Sequence, residues 1–270
     1  MNISGLKSKI GKQNMKKVII TGVSTGIGYA CAKILCNSGY FVYGSVRKSE
    51  DAERVKDKLG DNFHPLIFDI TNSQGILDAV AKVKSELKKP ECIAGLVNNA
   101  GVAMGGPVTL IGTEVFRKQF DINFFGLIDV TKAFLPLLGA TKNSYYQGKI
   151  INISSVSGKR SYPFMAPYTA SKFAVEAFSD SLRRELMIYG IDVILIEPGP
   201  IKTAIWDKTP DPENNEFLGS DYEPALRRFY KLFIEMGKKG LDADIIGNRV
   251  KSILQNPKPK IRHVITPNRL

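Results

Sequence analysis

Short, wholly apolar runs alternate with longer stretches of helical periodicity along most of the 270 residues. That alternation leaves few folds open. Val18-Ile19-Ile20, Phe41–Val46, Pro65–Asp69, Ala94–Val97, Lys149–Ile153 and Val193–Ile196 read as strands, with a short one near His263–Ile265. Helical patterns lie between them: about Gly26 to Ser38, a short one ending over Val55–Leu59, Ile76–Leu87, Thr113–Leu138, Pro167–Tyr189 and Asp242–Leu254. Strands that are apolar throughout, rather than alternately, suit a parallel sheet covered on both faces. With right-handed crossovers the chain is expected to be α/β, a doubly wound parallel sheet. Ligands of such sheets sit beyond the carboxyl ends of the strands, so chemistry is sought in the residues that follow each strand.

The first strand runs into Thr21-Gly22-Val23-Ser24-Thr25-Gly26-Ile27-Gly28, which opens a helix. Glycines allow a tight turn and let backbone approach a ligand without an intervening Cβ. The free N–H groups and positive end of the helix favour phosphate. A glycine trio is weak evidence alone, but here it lies between a strand and a helix in the first βαβ unit. The reading is a Rossmann-type sheet that binds a dinucleotide.

Residues 16–270 are expected to form a single domain. Residues 1–15 are polar and lysine-rich, and read as a flexible leader with no signal-peptide core. Residues 200–240 break the alternation with Pro210, Pro212, several acids and Trp206, the chain's one tryptophan. They read as an insertion after the sixth strand. No run of 18 apolar residues suggests a membrane span. The net charge is +12, but its lysines and arginines are scattered in pairs such as Lys16-Lys17 and Arg183-Arg184. Nucleic acid is therefore not an expected partner, while peripheral contact with an acidic membrane stays open. Cys31, Cys36 and Cys92 have neither disulfide nor zinc spacing, and His64 and His263 have no ligand spacing, so no metal is expected. A reducing cytoplasm fits.

Tyr168 and Lys172 stand four apart on a helical pattern, which puts them on one face. A free phenol has a pKa near 10, and a neighbouring ammonium lowers it. Such a tyrosine can serve as general acid or base.

With these residues in place, the chain resembles the short-chain dehydrogenase/reductase family from about residue 16 to residue 204. Thr21 to Gly28 matches the family's T-G-x-x-x-G-x-G, and Asn98-Asn99-Ala100-Gly101 matches its N-N-A-G after the fourth strand. Asp69, followed by Ile70, stands where the family contacts adenine. Pro198, Gly199, Ile201 and Thr203 fall in its P-G-x-x-x-T. Ser155 lies thirteen residues before Tyr168, as in the family's S…Y-x-x-x-K set, with Ser154 the neighbouring candidate. Asn123, in Asp121-Ile122-Asn123-Phe124-Phe125-Gly126, matches the family's helix asparagine.

The resemblance implies hydride transfer between a nicotinamide and an alcohol or carbonyl. Tyr168 would move the proton and Ser155 would position the oxygen. Lys172 would perturb Tyr168 and bind the nicotinamide ribose, and Asn123 would shape a backbone carbonyl that holds a relay water. Thr21, Gly22, Ser24, Thr25, Gly26, Ile27, Gly28, Asp69, Ile70, Asn99, Ala100, Gly101, Pro198, Gly199, Ile201 and Thr203 would flank the cofactor, with Tyr168 and Lys172. The family's NAD-selecting acid would sit near Ser45, and none is present. Arg47 follows the second strand, where arginine accommodates a 2′-phosphate. NADP is therefore expected, with NAD the alternative.

Lys159–Pro167 and Pro200–Lys239 are expected to flank the nicotinamide. Their aromatics, among them Phe164, Trp206, Tyr222 and Phe229, suggest an apolar pocket for a steroid-, retinoid- or lipid-like ketone or a small carbonyl. Phe41–Arg47 and the tail Asn256–Lys260 are similar to the 17β-hydroxysteroid and retinol dehydrogenase branch. A 3-oxoacyl carrier-protein reductase and a non-catalytic dinucleotide-binding sensor or scaffold are the alternatives. Family members commonly form homodimers or homotetramers through the two long helices, here about 113–138 and 167–189.

Overall fold

The structure is a computed structural model and describes residues 15–267 apart from 89–90, 143, 145, 207–210 and 212–214. The expected leader thus lies outside the described residues except for Met15, as do Pro210 and Pro212. In chain order the elements begin β1 (Lys17–Ile20), α1 (Gly26–Asn37), β2 (Phe41–Val46), α2 (Ser49–Leu59), β3 (Phe63–Ile67), α3 (Ser73–Glu86) and β4 (Gly95–Asn98). They continue α4 (Thr113–Phe120), α5 (Gly126–Phe134), β5 (Lys149–Ile153), α6 (Ala166–Leu186), β6 (Asp192–Pro198), β7 (Ile201–Lys202), α7 (Glu223–Lys238), β8 (Leu241–Asp242), α8 (Asp244–Gln255) and β9 (Arg262–Ile265).

Seven strands form one parallel sheet in the order β3-β2-β1-β4-β5-β6-β9. This is the expected doubly wound α/β architecture. The apolar strands explain it residue by residue. Val18 and Ile20 face one core with Val42, Val97 and Ile151, beneath Leu35 of α1 and Val250 of α8. Ile19, between them, faces the other core with Tyr43, Leu96 and Ile150, beneath Val83 of α3, Phe134 of α5 and Leu182 of α6. A strand buried on both faces selects apolar side chains, and the polar ones it does hold, such as Asn98 and Asn152, are hydrogen-bonded to each other. Each such aliphatic side chain contributes about 1.5–3 kcal/mol by leaving water. Strand order reverses between β1 and β4, and the crevice at that point is where such sheets bind ligands.

The expected helix over Thr113–Leu138 is not continuous. A π turn at Asp121–Phe125 separates α4 from α5, and Leu135–Leu138 tightens into a 3₁₀ turn that contains Pro136. The helix after β2 begins at Ser49, well before the stretch its periodicity marked. The insertion carries α7, which packs Leu226 and Tyr230 with Phe217, and β8 pairs with β7 to close it. Among the described residues no helix is long and apolar enough to cross a membrane.

Candidate active site

The turn after β1 needs glycine where the sequence puts it. Gly22 has φ +72, and a Cβ there would lie 2.9 Å from the Cα of Ala100. A Cβ at Gly28, the third residue of α1, would fall on the Gly22 carbonyl oxygen. Gly26 has φ +60 and lies against Thr203, 3.2 Å from its Cβ as measured from a hypothetical side chain. Residues after β4 lock this turn. The Thr21 hydroxyl accepts the backbone N–H groups of Asn99 and Ala100, both at 3.0 Å. Asn99 Nδ2 donates to the carbonyls of Thr21 and Gly22 at 2.9 and 3.0 Å. Thr25 caps α1 through its backbone alone, and the helix has no acid in its first turn. Its positive end is thus uncompensated, over a cradle that side chains would fill. That arrangement fits a dinucleotide pyrophosphate.

The end of β2 corrects one sequence expectation. Ser45 is buried, and its Oγ accepts the Gly22 N–H at 2.9 Å. The position holds the glycine turn from inside, so it is not where an acid would meet a ribose. Arg47 lies outside, its side chain 67% exposed, with Nη1 3.9 Å from Asp69 Oδ2. Asp69 is itself held by the Thr71 N–H and hydroxyl. Ile70 is buried against the second core and its carbonyl abuts Gly126. Arg54 of α2 was missed by the sequence reading. Its Nη2 donates to the Ser24 carbonyl at 3.0 Å and it pairs with Asp51. Two arginines therefore stand at the outer edge of the turn.

At the end of β5, Ser155 is buried and its Oγ accepts the Ser157 N–H at 3.0 Å. The Ser155 hydroxyl also bears on Tyr168, whose pKa it lowers against the effect of burial. Ser154 makes no such contact, and its Oγ is buried without a hydrogen-bond partner among the described residues. Tyr168 lies in the first turn of α6, just after Pro167, which is tolerated there because its missing N–H is not needed. One turn on, Lys172 Nζ donates to the Ile153 carbonyl at 2.8 Å and lies 5.8 Å from the centre of the Tyr168 ring. Asn123 occupies the π turn, a kind of helix break that recurs at functional sites. It binds Val102 through both ends of its amide and donates to Ser171 Oγ, which donates to the Tyr168 carbonyl. Asn123 is thus linked to Tyr168 through Ser171, and Lys172 and Ser155 reach the same place from α6 and from the end of β5.

Burial pushes the Tyr168 pKa above the usual phenol value, opposed by the Ser155 hydrogen bond. The depression expected from Lys172 does not appear: burial and Ser155 are what move the phenol. The same desolvation lowers Lys172 itself to about 8, opposed by the negative charge of Glu176. Tyr168 is therefore a neutral phenol at neutral pH.

Gly199 donates its N–H to Ile265, and Ile201 is buried at the start of β7, which brings Thr203 beside the turn. The insertion faces the segment between Ser155 and Tyr168. The Phe164 ring packs edge-on against Tyr222 and Phe229, with centres 6.2 and 5.5 Å apart. Phe164 has φ +62, unusual for a residue with a side chain, and its carbonyl accepts the Gly106 N–H at 2.7 Å.

Sheet order, glycine turn and edge arginines together define a dinucleotide-binding α/β protein. The family model described as short chain dehydrogenase matches residues 16–214. The NADPH-dependent 3-dehydrocapnine reductase of Ornithobacterium rhinotracheale is 41% identical over 256 residues, which covers 95% of this chain and 90% of that protein. The 3-ketodihydrosphingosine reductase of Bacteroides thetaiotaomicron is 34% identical over 253 residues, 93% of this chain and 87% of that one. The closed form of serine dehydrogenase complexed with NADP+ is similar in structure, with a TM-score of 0.74 and 28% identity over 93% of this chain and 94% of that one. The chain belongs to the short-chain dehydrogenase/reductase family and is an oxidoreductase.

Proposed function

We propose that this protein is an NADPH-dependent reductase of a ketone carried on a lipid-like chain, with Tyr168 as the proton donor. The observation that carries the reading is the joining of Tyr168, Ser155 and Lys172 at the carboxyl end of β5, in the same sheet crevice as the glycine turn.

Thr21 to Gly28 would hold the pyrophosphate, with Asn99, Ala100, Gly101, Pro198, Gly199, Ile201 and Thr203 along its sides. Asp69 and Ile70 would bound the adenine, and Arg47, with Arg54 beside it, would receive a 2′-phosphate. A reduced nicotinamide held there would supply the hydride that a carbonyl carbon accepts. Tyr168 gives its phenolic proton to the oxygen as negative charge develops there. Ser155 Oγ donates to the same oxygen and keeps it at hydrogen-bonding distance from the tyrosine. Lys172, while protonated, stabilises the phenolate left on Tyr168 and binds the nicotinamide ribose. Asn123 fixes the backbone of α6 through Ser171. A tyrosine held as neutral phenol favours reduction over oxidation.

The lipid-like substrate rests on the aromatic wall of Phe164, Tyr222 and Phe229, and on the two named relatives, a 3-dehydrocapnine and a 3-ketodihydrosphingosine reductase. The net charge of +12 suits approach to an anionic bilayer, where such a ketone would reside. Three free thiols fit a cytoplasmic setting. The exposed Phe125 and Phe173, beside α5 and on α6, would be covered in a homodimer or homotetramer. The test is a panel of long- and short-chain ketones with NADPH and NADH, followed at the reduced-nicotinamide absorbance. Turnover confined to short polar ketones, or to NADH, would overturn the reading.

A further inference from the structure

Among the described residues of α4 only Gln119 is buried, and it is polar. A buried amide costs stability unless its donor and acceptor are paired. Both ends of Gln119 are paired, on the segment that follows β4. Its Oε1 accepts the Met104 N–H at 2.7 Å, and its Nε2 donates to the Val102 carbonyl at 3.0 Å. One turn on, Asn123 Oδ1 accepts the Val102 N–H at 2.9 Å, and its Nδ2 donates to the same Val102 carbonyl at 3.0 Å. Two residues past Met104, the Gly106 N–H goes to the Phe164 carbonyl at 2.7 Å.

Residues 101–107 belong to no helix or strand. Their alternate N–H groups, at Val102, Met104 and Gly106, are fastened in turn by Asn123, Gln119 and Phe164, with Gln119 in the middle. The far end of the segment is tightly seated. A Cβ at Gly105 would lie 2.3 Å from the Phe164 carbonyl oxygen and 3.1 Å from Met165 Sδ. One at Gly106 would lie 2.6 Å from Ile111 Cγ2 and 2.9 Å from Phe217 Cζ, on the insertion. Gly105 and Gly106 are therefore wedged between the insertion and the backbone of Phe164, which is held at φ +62. The Phe164 ring makes the wall with Tyr222 and Phe229. A shift at Met104 reaches that wall within two residues. Asn123, by contrast, continues through Ser171 to Tyr168. Two amides one turn apart thus lead to different sides of the site.

We propose that Gln119 is a positioning residue for substrate selectivity, setting the Val102–Gly106 segment so that Gly105 and Gly106 hold Phe164, and with it the aromatic wall, in place. This rests on the reading of that wall as the surface a long-chain ketone meets. Gln119→Met fills nearly the same space with an apolar chain. It leaves the Met104 N–H without its acceptor, while Val102 keeps both bonds to Asn123. The seat of Gly106 on Phe164 then loosens, and the path from Asn123 to Tyr168 is untouched. A purely structural glutamine would lower the melting temperature and leave both the Gly106 bond and the preference for long chains as they are.

The test has two parts. Amide hydrogen exchange, followed by NMR without cofactor or substrate, compares Gly106 with Ile151, which is buried in β5. In Gln119→Met, exchange at Gly106 should speed up by about tenfold relative to Ile151, the scale of one lost hydrogen bond. Steady-state kinetics should then show KM for a long-chain ketone raised by about tenfold, with kcat, NADPH affinity and KM for a short-chain ketone near the parent's. If Gln119→Met does not fold, Gln119→Asn decides on the same readouts, since it keeps an amide but falls one methylene short of Met104. Unchanged relative exchange at Gly106 overturns the proposal whatever the kinetics. A loosened Gly106 with an unmoved KM also overturns it, if Phe164→Ala does raise KM. If Phe164→Ala leaves KM unmoved as well, the wall does not meet the substrate, and the proposal falls with that reading. The exchange measurement needs no ketone, so the two failures are distinct.

Discussion

The Lys172 ammonium group donates to the carbonyl of Ile153 at 2.8 Å. Ile153 ends β5, and Ser155 follows it by two residues. One hydrogen bond therefore sets the α6 lysine in register with the strand that delivers the serine. Tyr168 precedes Lys172 by one helical turn, its ring centre 5.8 Å from the ammonium nitrogen. The rigidity of the set comes from the sheet and the helix, not from the loop that joins them.

Tyr168→Phe removes only the phenolic hydroxyl. Turnover should fall by about 10²–10⁴, the usual contribution of a placed general acid. NADPH affinity should stay near the parent's, because the backbone network through Ser171 is untouched. Steady-state rates and a fluorescence titration of NADPH check both halves. Activity close to the parent's would remove Tyr168 from the mechanism.

The pH dependence follows from two buried groups. In the proposed mechanism reduction needs the proton on Tyr168, whose pKa is raised, and the charge on Lys172, whose pKa is lowered to about 8. Lys172 therefore titrates first on the alkaline side. The rate of ketone reduction should be level below that value and fall as pH rises through about 8. Ser155→Ala should raise the Tyr168 pKa further, since the bond that opposes burial is lost. It should leave the fall near 8 in place while lowering the plateau. A profile that stays flat to pH 10 would contradict the assignment of the lysine.

Much of this architecture is legible in the residues. Val18, Ile19 and Ile20 are all apolar because the strand is buried on both faces, and that pattern identifies a parallel sheet without any partner strand in view. The glycine turn, Tyr168 and Lys172 are readable because each motif is local. Other features depend on who the neighbours are. The helix pattern runs unbroken through Asp121–Phe125, yet Asn123 is committed to Val102 and Ser171, and the backbone there opens into a π turn. The start of α2 is polar, with only Ala52 and Val55 buried, so its periodicity is faint. Ser45 cannot be placed until β2 is set beside the turn. Glu176, Glu197 and Arg262 come from α6, β6 and β9, and only the sheet order brings them together.

Cofactor choice should divide between Arg47 and Ser45. Arg47→Ala removes an exposed cation at the ribose edge. It should weaken NADPH by roughly ten- to a hundredfold, the value of one charge-assisted hydrogen bond, and leave NADH nearly unchanged. Ser45→Asp should not rescue NADH binding. It would bury a carboxylate inside the turn, which costs stability, and place a larger side chain where the Oγ now takes the Gly22 N–H. Calorimetric titration of both cofactors and a thermal melt of each variant give the answer. Equal weakening of both cofactors by Arg47→Ala would make Arg47 an ordinary surface residue.

Phe164 separates backbone strain from side-chain packing. Its φ of +62 is a region that glycine enters freely and that residues with a Cβ pay strain to occupy, on the order of 1–3 kcal/mol. The ring offsets this through its contacts with Tyr222 and Phe229. Phe164→Ala loses the ring and keeps the strain. Phe164→Gly loses the ring and relieves the strain, though it frees the unfolded chain somewhat more. Glycine should therefore be the more stable of the two, by about 1 kcal/mol. That order is the reverse of what an ordinary loop position would give. Both variants open the aromatic wall, so KM for a long-chain ketone should rise about tenfold, the scale of a lost apolar contact of 1–2 kcal/mol. The plateau rate should change little, because Tyr168 and Ser155 are untouched. Thermal melts rank the stabilities and steady-state kinetics give KM. If alanine is as stable as glycine, the backbone at Phe164 is not strained. If KM is unmoved in both, the wall does not touch the substrate.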